Sequence, residues 1–312
     1  MLGTTGCYTA ELDPALPGVF ACTAGDESCP SGQLCVNARC EDADTLPSLT
    51  ILNPEEGFKD VTRAPDEPPL PVDVDDVPML VTFQGSNLSL VPASSGANHV
   101  FGEGYVAVFV DGSEVATFEA GNISDRNSLT VDIPPVPGPH RIALQARRND
   151  GVDYDNEQAL ATRLIWLENE LTVGMRPFVA IRSPWPGQTF GLEAQSLEVQ
   201  VMTLNFDLVS TESGTQQEGN GHSHIYYDAQ FPPCAEDDAC DQGYLGTAKA
   251  PQPGESFSRG TILLPNSGEQ SATLTAVLRN YDHTIYRYPF GCKGGPLCFI
   301  AYEDVEILRV GD

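Results

Sequence analysis

Apolar residues along this chain recur at alternate positions in short runs, and residues that turn the backbone separate the runs. In VTFQGSNLSL (81–90) the apolar positions include Val81, Phe83 and Leu90; in VQVMTLNFDL (199–208) they include Val199, Val201 and Leu208. HRIALQARRNDG (140–151) repeats the pattern with Ile142, Leu144 and Ala146, and ATLTAVLRNYDH (272–283) with Leu274, Ala276 and Leu278. A period of two is that of a strand with one buried face, not the 3.6-residue period of an amphipathic helix. The 29 Gly and 25 Pro are spread along the whole chain, which breaks up long helices and suits short strands joined by turns. One segment, DNEQALATRLIWLENEL (155–171), has the Ala, Glu and Leu content of a helix.

The same runs occur twice in the same order. LTILNPEEG (49–57) aligns with VAIRSPWPG (179–187), which sets Ile51 on Ile181, Pro54 on Pro184 and Gly57 on Gly187. GEGYVAVFVDG (102–112) aligns with GNGHSHIYYDA (219–229), setting Tyr105 on His222, Ala107 on His224 and Asp111 on Asp228. The helix-like segment falls opposite CFIAYEDVEILRVG (298–311), which is rich in Val, Ile, Tyr and Phe, so a strand is expected in both places. About five to seven strands per half predict an all-β chain with an immunoglobulin-like β-sandwich in each half, a closed barrel being the alternative. The expected organisation is an N-terminal Cys-rich module (1–45), a first sandwich (46–175) and a second (176–312). RAPDEPPLPVDVDDVP (63–78) reads as a Pro-rich acidic surface loop.

Charge and cysteine narrow the setting. With 16 Lys+Arg against 44 Asp+Glu the formal net charge is −28, which repels phosphate backbones and anionic lipid and excludes nucleic acid as a partner. No run reaches the roughly 18 apolar residues of a membrane span, and the chain stops at Gly311-Asp312 with no anchor expected there. Of nine cysteines, Cys22, Cys29, Cys35 and Cys40 form a quartet, Cys234 with Cys240 and Cys292 with Cys298 form short-range pairs, and Cys7 is left over. Disulfides suit this spacing and imply an oxidising compartment and export, with zinc ligation by the quartet as the competing reading.

ACTAGDESCPSGQLCVNARC (21–40) resembles the small Cys-rich modules, of the form C…DxxCPxGxxCxxxxC, found at the start of surface lipoproteins of myxobacteria and related bacteria. That resemblance implies pairing of Cys22 with Cys35 and Cys29 with Cys40. MLGTTG is too short for a signal peptide, and TTGC resembles the tail of a lipobox. If Met1 lies inside a longer signal, Cys7 is the lipid-modified residue and the lipid is the protein's link to the membrane, an odd cysteine being the alternative.

Candidate chemistry is concentrated in the second half, which holds three of the five histidines. His222 and His224 are two residues apart, so on a strand both point to one face, about 7 Å apart, and can share a metal. His283 lies at the end of the strand read from TLTAVLRN; if the two strands are neighbours, the three imidazoles form a Cu or Zn site, with Asp282 or Asp228 as a further ligand. This half is similar to a group of exported bacterial domains of unknown function with a GHxH…dH pattern, carried here by Gly221, His222, His224, Asp228, Asp282 and His283. It departs from the pattern at SGEQ (267–270), where a histidine is expected, and the first half keeps only PGPH with His140. His99 and His140 read as surface or turn residues. NDGVDYDNE (149–157), with Asp150, Asp153 and Asp155, is a candidate calcium loop, and Asp73, Asp75 and Asp76 are a weaker one. Trp185, Tyr226 and Tyr227 are the aromatics that a carbohydrate-binding surface would have to use.

Catalytic motifs are missing: there is no G-x-S-x-G, HExxH, P-loop, GxGxxG or CxxCH. The expected function is that of an exported, surface-displayed structural or adhesive protein without catalytic activity. It would act through protein or cell-surface contacts, self-association included. The alternative is a periplasmic or extracellular copper- or zinc-binding protein using the histidine cluster.

Overall fold

The computed structural model describes residues 11–12, 20–22, 29–62, 76–93, 99–171, 173–192, 194–209, 217–228, 243–248, 250–265, 271–292 and 298–310. Cys7, Cys234, Cys240, Asp73 and Asp75 therefore lie outside the described residues. Among the described residues no helix is long and apolar enough to cross a membrane.

The N-terminal module is a small sheet of β1 (Glu11–Leu12), β2 (Phe20–Ala21), β3 (Gln33–Val36) and β4 (Arg39–Asp42), in the order β1-β2-β4-β3. A two-residue turn joins β3 to β4, with Asn37 at φ 49° and Ala38 at φ 63°, the left-handed geometry that matches the twist of a tight hairpin. Cys22 is bonded to Cys35 and Cys29 to Cys40, with S–S distances of 2.07 and 2.08 Å. Their sulfurs are spent on disulfides, so the zinc reading of this quartet does not hold. Cys292 is bonded to Cys298 in the second half.

The chain divides into two compact units, and the N-terminal module belongs to the first of them, which also takes in residues 75–134 and 140–165. Within that unit the Asn37 backbone N–H donates to Asp155 Oδ1 at 2.9 Å and its side-chain amide donates to the Asp153 carbonyl at 2.8 Å.

The first sandwich is built from β5 (Ser48–Asn53), β6 (Phe58–Thr62), β7 (Val77–Ser86), β8 (Ser89–Leu90), β9 (Glu103–Val110), β10 (Ser113–Phe118), β11 (Asn127–Ile133), β12 (Gly138–Arg148) and β13 (Leu160–Asn169). One sheet runs β5-β7-β11 and the other β6-β13-β12-β9-β10, with β8 beside β9. The acidic stretch expected as a loop through residue 78 gives way to β7 at Val77, because Val77 and Pro78 pair with Ile133 and Asp132. Only a short 3-10 turn, Glu157–Ala159, survives of the helix-like composition before β13.

The second sandwich is built from β14 (Phe178–Ser183), β15 (Thr189–Gly191), β16 (Ser196–Leu204), β17 (Asp207–Leu208), β18 (Asn220–Tyr227), β19 (Tyr244–Ala248), β20 (Ser258–Leu263), β21 (Ser271–Arg279), β22 (Arg287–Tyr288), β23 (Phe299–Ile300) and β24 (Tyr302–Val310). Its sheets are β14-β16-β20 and β15-β24-β21-β18-β17, with β19 on β18; β22 and β23 pair separately. Apart from the β22–β23 pair, this is the strand order of the first sandwich. The chain is thus a tandem of immunoglobulin-like sandwiches behind a disulfide module.

The two copies agree to the level of single residues. Asn87 and Asn205 take φ values of 56° and 55°, and Asp111 and Asp228 both take 49°. Leu144 pairs with Val108 in one copy and Ala276 with Ile225 in the other, all on the core-facing side. Tyr154 Oη accepts the Gly102 N–H at 3.0 Å, and Tyr286 Oη accepts the Gly219 N–H at 3.0 Å. Burial pushes the Tyr154 hydroxyl up to about 12, so it stays protonated. Tyr154→Phe and Tyr286→Phe each strand a partly buried amide and are expected to cost about 1 kcal/mol, read as a lower urea midpoint with unchanged slope.

Candidate metal centre

β18 alternates between two environments. Ile225 and Tyr227 face the core with Leu274, Ala276 and Leu278 of β21, while His222, His224 and Tyr226 occupy the other side of the same strand. His222 pairs across the ladder with Arg279, the last residue of β21, and the chain then turns back through residues 280–284. In that turn the Asn280 N–H donates to the Thr284 carbonyl at 2.8 Å and the His283 N–H to the Asn280 carbonyl at 3.0 Å. His283 sits at φ 68°, and this left-handed conformation returns its ring over the β18 face.

The three imidazoles meet. His222 Nε2 lies 3.0 Å from His224 Nε2, and His224 Nε2 lies 3.1 Å from His283 Nδ1. All three ring nitrogens fall within 4.8 Å of one another. Three ligands at ~2.0–2.1 Å from a tetrahedral metal stand about 3.3 Å apart, close to these separations. His222 is fully buried, His224 is 7% exposed and His283 faces solvent, so the group is closed below and open on the His283 side. The partly exposed ring of Tyr244 packs against His224, with centroids 4.6 Å apart and planes tilted by 40°.

Behind the cluster lies a second layer. His224 Nδ1 is 3.3 Å from Tyr226 Oη, so a proton on Nδ1 has an acceptor and Nε2 keeps its lone pair for a ligand. Arg279 donates through Nη2 to Tyr226 Oη and through Nη1 to the His283 carbonyl at 3.0 Å, tying the turn to the strand. Burial first, then the neighbouring His222, Arg279 and His283, push His224 down to about 2, so its imidazole is neutral at any ordinary pH. A neutral ring nitrogen offers one proton or one lone pair, so His224 Nε2 cannot make good hydrogen bonds to both neighbours. A cation receiving three lone pairs removes that conflict.

Other sequence candidates are placed differently. Asp282 stays out of the group: its Oδ1 accepts from Thr284 N–H at 3.1 Å and Thr284 Oγ1 at 2.6 Å, as a short acidic side chain in a turn does. Asp228 Oδ1 accepts the Thr273 N–H at 2.7 Å. The calcium candidates do not converge, because nearer cations and amides take them: Asp150 pairs with Arg148 at 2.5 Å, Asp153 with Arg147 at 2.5 Å, and Asp155 caps Asn37. His140, expected as a surface or turn residue, lies in β12 and is 4% exposed, with Nδ1 2.7 Å from Asp111 Oδ2. His99 is within 3.4 Å of Asn149 Oδ1. Tyr226 and Tyr227 are buried, which removes them from any carbohydrate-binding face.

Sequence reasoning missed Tyr226 and Arg279 as supports of the histidines. The period of two puts Tyr226 on the face of His222 and His224, and the alignment puts Arg279 opposite Arg147 at the end of its strand, so both signals were there to use.

No family model matches the chain, and no curated protein does. Among solved structures it is similar to fibronectin(III)-like modules of Clostridium thermocellum CbhA, at 9% identity and TM-score 0.23 over 84% of this chain and 94% of that one. It is also similar to tandem Ig repeats of Dlar, at 10% identity and TM-score 0.20 over 85% and 98%. A β-glycosidase from Bacteroides vulgatus aligns at 10% identity and TM-score 0.22 over 84% of this chain, which spans 24% of that enzyme. Scores this low carry no argument about the site, whose chemistry rests on its own geometry.

Proposed function

We propose that this chain is an exported, non-catalytic protein that holds one transition-metal ion, copper or zinc, at His222, His224 and His283 of its second sandwich. The observation that carries the reading is the meeting of three ring nitrogens at 3.0 and 3.1 Å around a buried neutral imidazole. The first copy serves as an internal control. It keeps the same strands and turn with Tyr105, Ala107 and Gly151 at the three positions, so the fold does not require the histidines. Gly151 takes φ 89° where His283 takes 68°, and a side chain in that region costs about 1 kcal/mol that glycine does not. A histidine held in a left-handed conformation at that turn is accounted for by ligation.

The wider role is display. Two disulfides in a module of about 20 residues support an oxidising compartment, and the first sandwich, lacking the cluster, serves as a structural or adhesive element that contacts a protein or surface partner. Acylation of Cys7 would tie it to a membrane.

The test is metal analysis by mass spectrometry of protein exported and purified without chelator, beside His222→Ala/His224→Ala. The expected result is about one Cu or Zn per chain, lost in the variant. Adding metal at a hundred times its Kd should stabilise the wild-type chain by about 2.7 kcal/mol, seen as a higher Tm. Protein without metal and without a thermal shift on adding Cu or Zn would overturn the reading.

A further inference from the structure

Resting on the proposed metal site, the charge around it says which ion it favours. All three donors are imidazole nitrogens, a ligand type that brings no negative charge, and among the described residues no carboxylate joins them. The one acidic residue beside His283 in the turn, Asp282, is turned to Thr284. A fixed cation stands behind the group: the Arg279 guanidinium, 1% exposed, is hydrogen-bonded to Tyr226 Oη, which in turn contacts His224. His222 and His224 are buried, so water screens little of this charge on the inner side.

A divalent ion at this point would add two positive charges beside a buried guanidinium, with no anionic ligand from the chain. It would take a fourth ligand, water or an anion, on the open side near His283. A monovalent ion adds half the charge, and Cu(I) is satisfied by three imidazoles, whereas Zn(II), equally d10, takes a fourth ligand. We propose that the His222–His224–His283 cluster is a three-coordinate site selective for monovalent copper, Cu(I), over Zn(II). Arg279 and Tyr226 act as positioning residues: they hold the imidazoles and set the charge that disfavours a dication.

The experiment is an anaerobic competition on the full chain, with Cu(I) supplied as its acetonitrile complex against bathocuproine disulfonate, and Zn(II) measured against a chromogenic chelator. The comparison protein is the triple variant His222→Tyr/His224→Ala/His283→Gly, which writes the first copy's residues into the second and retains all nine cysteines. Circular dichroism and Tm check that it folds, and His283→Gly alone is the milder version. The expected result is one Cu(I) per chain, about 100-fold tighter than Zn(II), absent from the triple variant, and silent in electron paramagnetic resonance after exposure to air. Arg279→Gln, which removes the charge but keeps a donor, should narrow the preference towards Zn(II). Zn(II) held as tightly as Cu(I) by the wild type and lost in the triple variant would overturn this inference and leave the metal-binding function standing. Cu(I) bound equally by wild type and triple variant would place it on cysteine and overturn the inference. No metal of either kind at the histidines would overturn both.

Discussion

Replacing Gly221 by alanine is expected to destabilise the second sandwich by about 3–5 kcal/mol, a large share of a domain's usual ~5–15 kcal/mol. A Cβ built on Gly221 would lie 2.0 Å from the Arg279 carbonyl oxygen and 3.0 Å from the Phe206 ring. The oxygen is backbone in the neighbouring strand and cannot turn aside. On its other edge Gly221 pairs with Leu208 of β17, and its carbonyl accepts the Val209 N–H at 2.6 Å, so β18 cannot retreat either. The histidine next in sequence would move with it, so metal binding should be lost together with stability. Gly104→Ala provides the matching test in the first copy, where the same Cβ would stand 2.0 Å from the Arg147 carbonyl. Gly219→Ala is the contrast: its φ of 76° disfavours a side chain, but nothing lies within 4 Å, and about 1 kcal/mol is expected. Urea unfolding followed by circular dichroism measures all three. A cost for Gly221→Ala no larger than that for Gly219→Ala would show that the strands part more readily than their spacing implies.

The second large effect is one of pH on the metal-free chain. His224 is lowered from 6.5 to about 2 by burial, with His222, Arg279 and His283 adding repulsion. The groups facing it are His222 and Tyr226 on its own strand, Arg279 and His283 from β21 and its turn, and Tyr244 from β19. Between those two pH values the unfolded chain carries a proton on this ring and the folded chain does not. Stability is therefore full above pH ~6.5 and falls as pH drops towards 2, by up to about 1.4 kcal/mol per pH unit from this one group. His224→Gln removes the titration and isolates the effect from the many carboxylates. Unfolding free energies at pH 7 and pH 5 should differ by about 1–2 kcal/mol more in the wild type than in the variant. Parallel profiles would mean that the ring is not held neutral by its surroundings. Bound metal should flatten the wild-type profile near neutrality and be released as acid competes for the ring nitrogens.

How much of this was legible beforehand varies by element. The alternation Val81, Phe83 and Val199, Val201 fixes which residues turn inward, and all four are buried without measurable exposure. Aligning 161–174 with 298–311 corrected a helix-like composition to the strand β13, because one fold imposed twice must satisfy both sequences. His222 and His224 were legible as a pair, since two residues apart on a strand means one face. Convergence of His283 with them was conditional on β21 lying beside β18. The fate of Asp155 was not legible, because Asn37 reaches it from the N-terminal module; Asp150 and Asp153 are taken by Arg148 and Arg147, two and six residues away. His140 looked like a turn residue because its partner, Asp111, is far away in sequence.

By itself, then, the sequence determined the all-β class, the duplication, the Cys-rich module and the shared face of two histidines, since periodicity and spacing are local properties of a chain. Only the tertiary structure decided that the left-handed turn at His283 closes the trio, that Tyr226 and Arg279 stand behind it, and that Asp282 is left out. Those outcomes depend on which strands become neighbours and on which competing hydrogen-bond partner is nearest, and the pattern along a single strand carries neither.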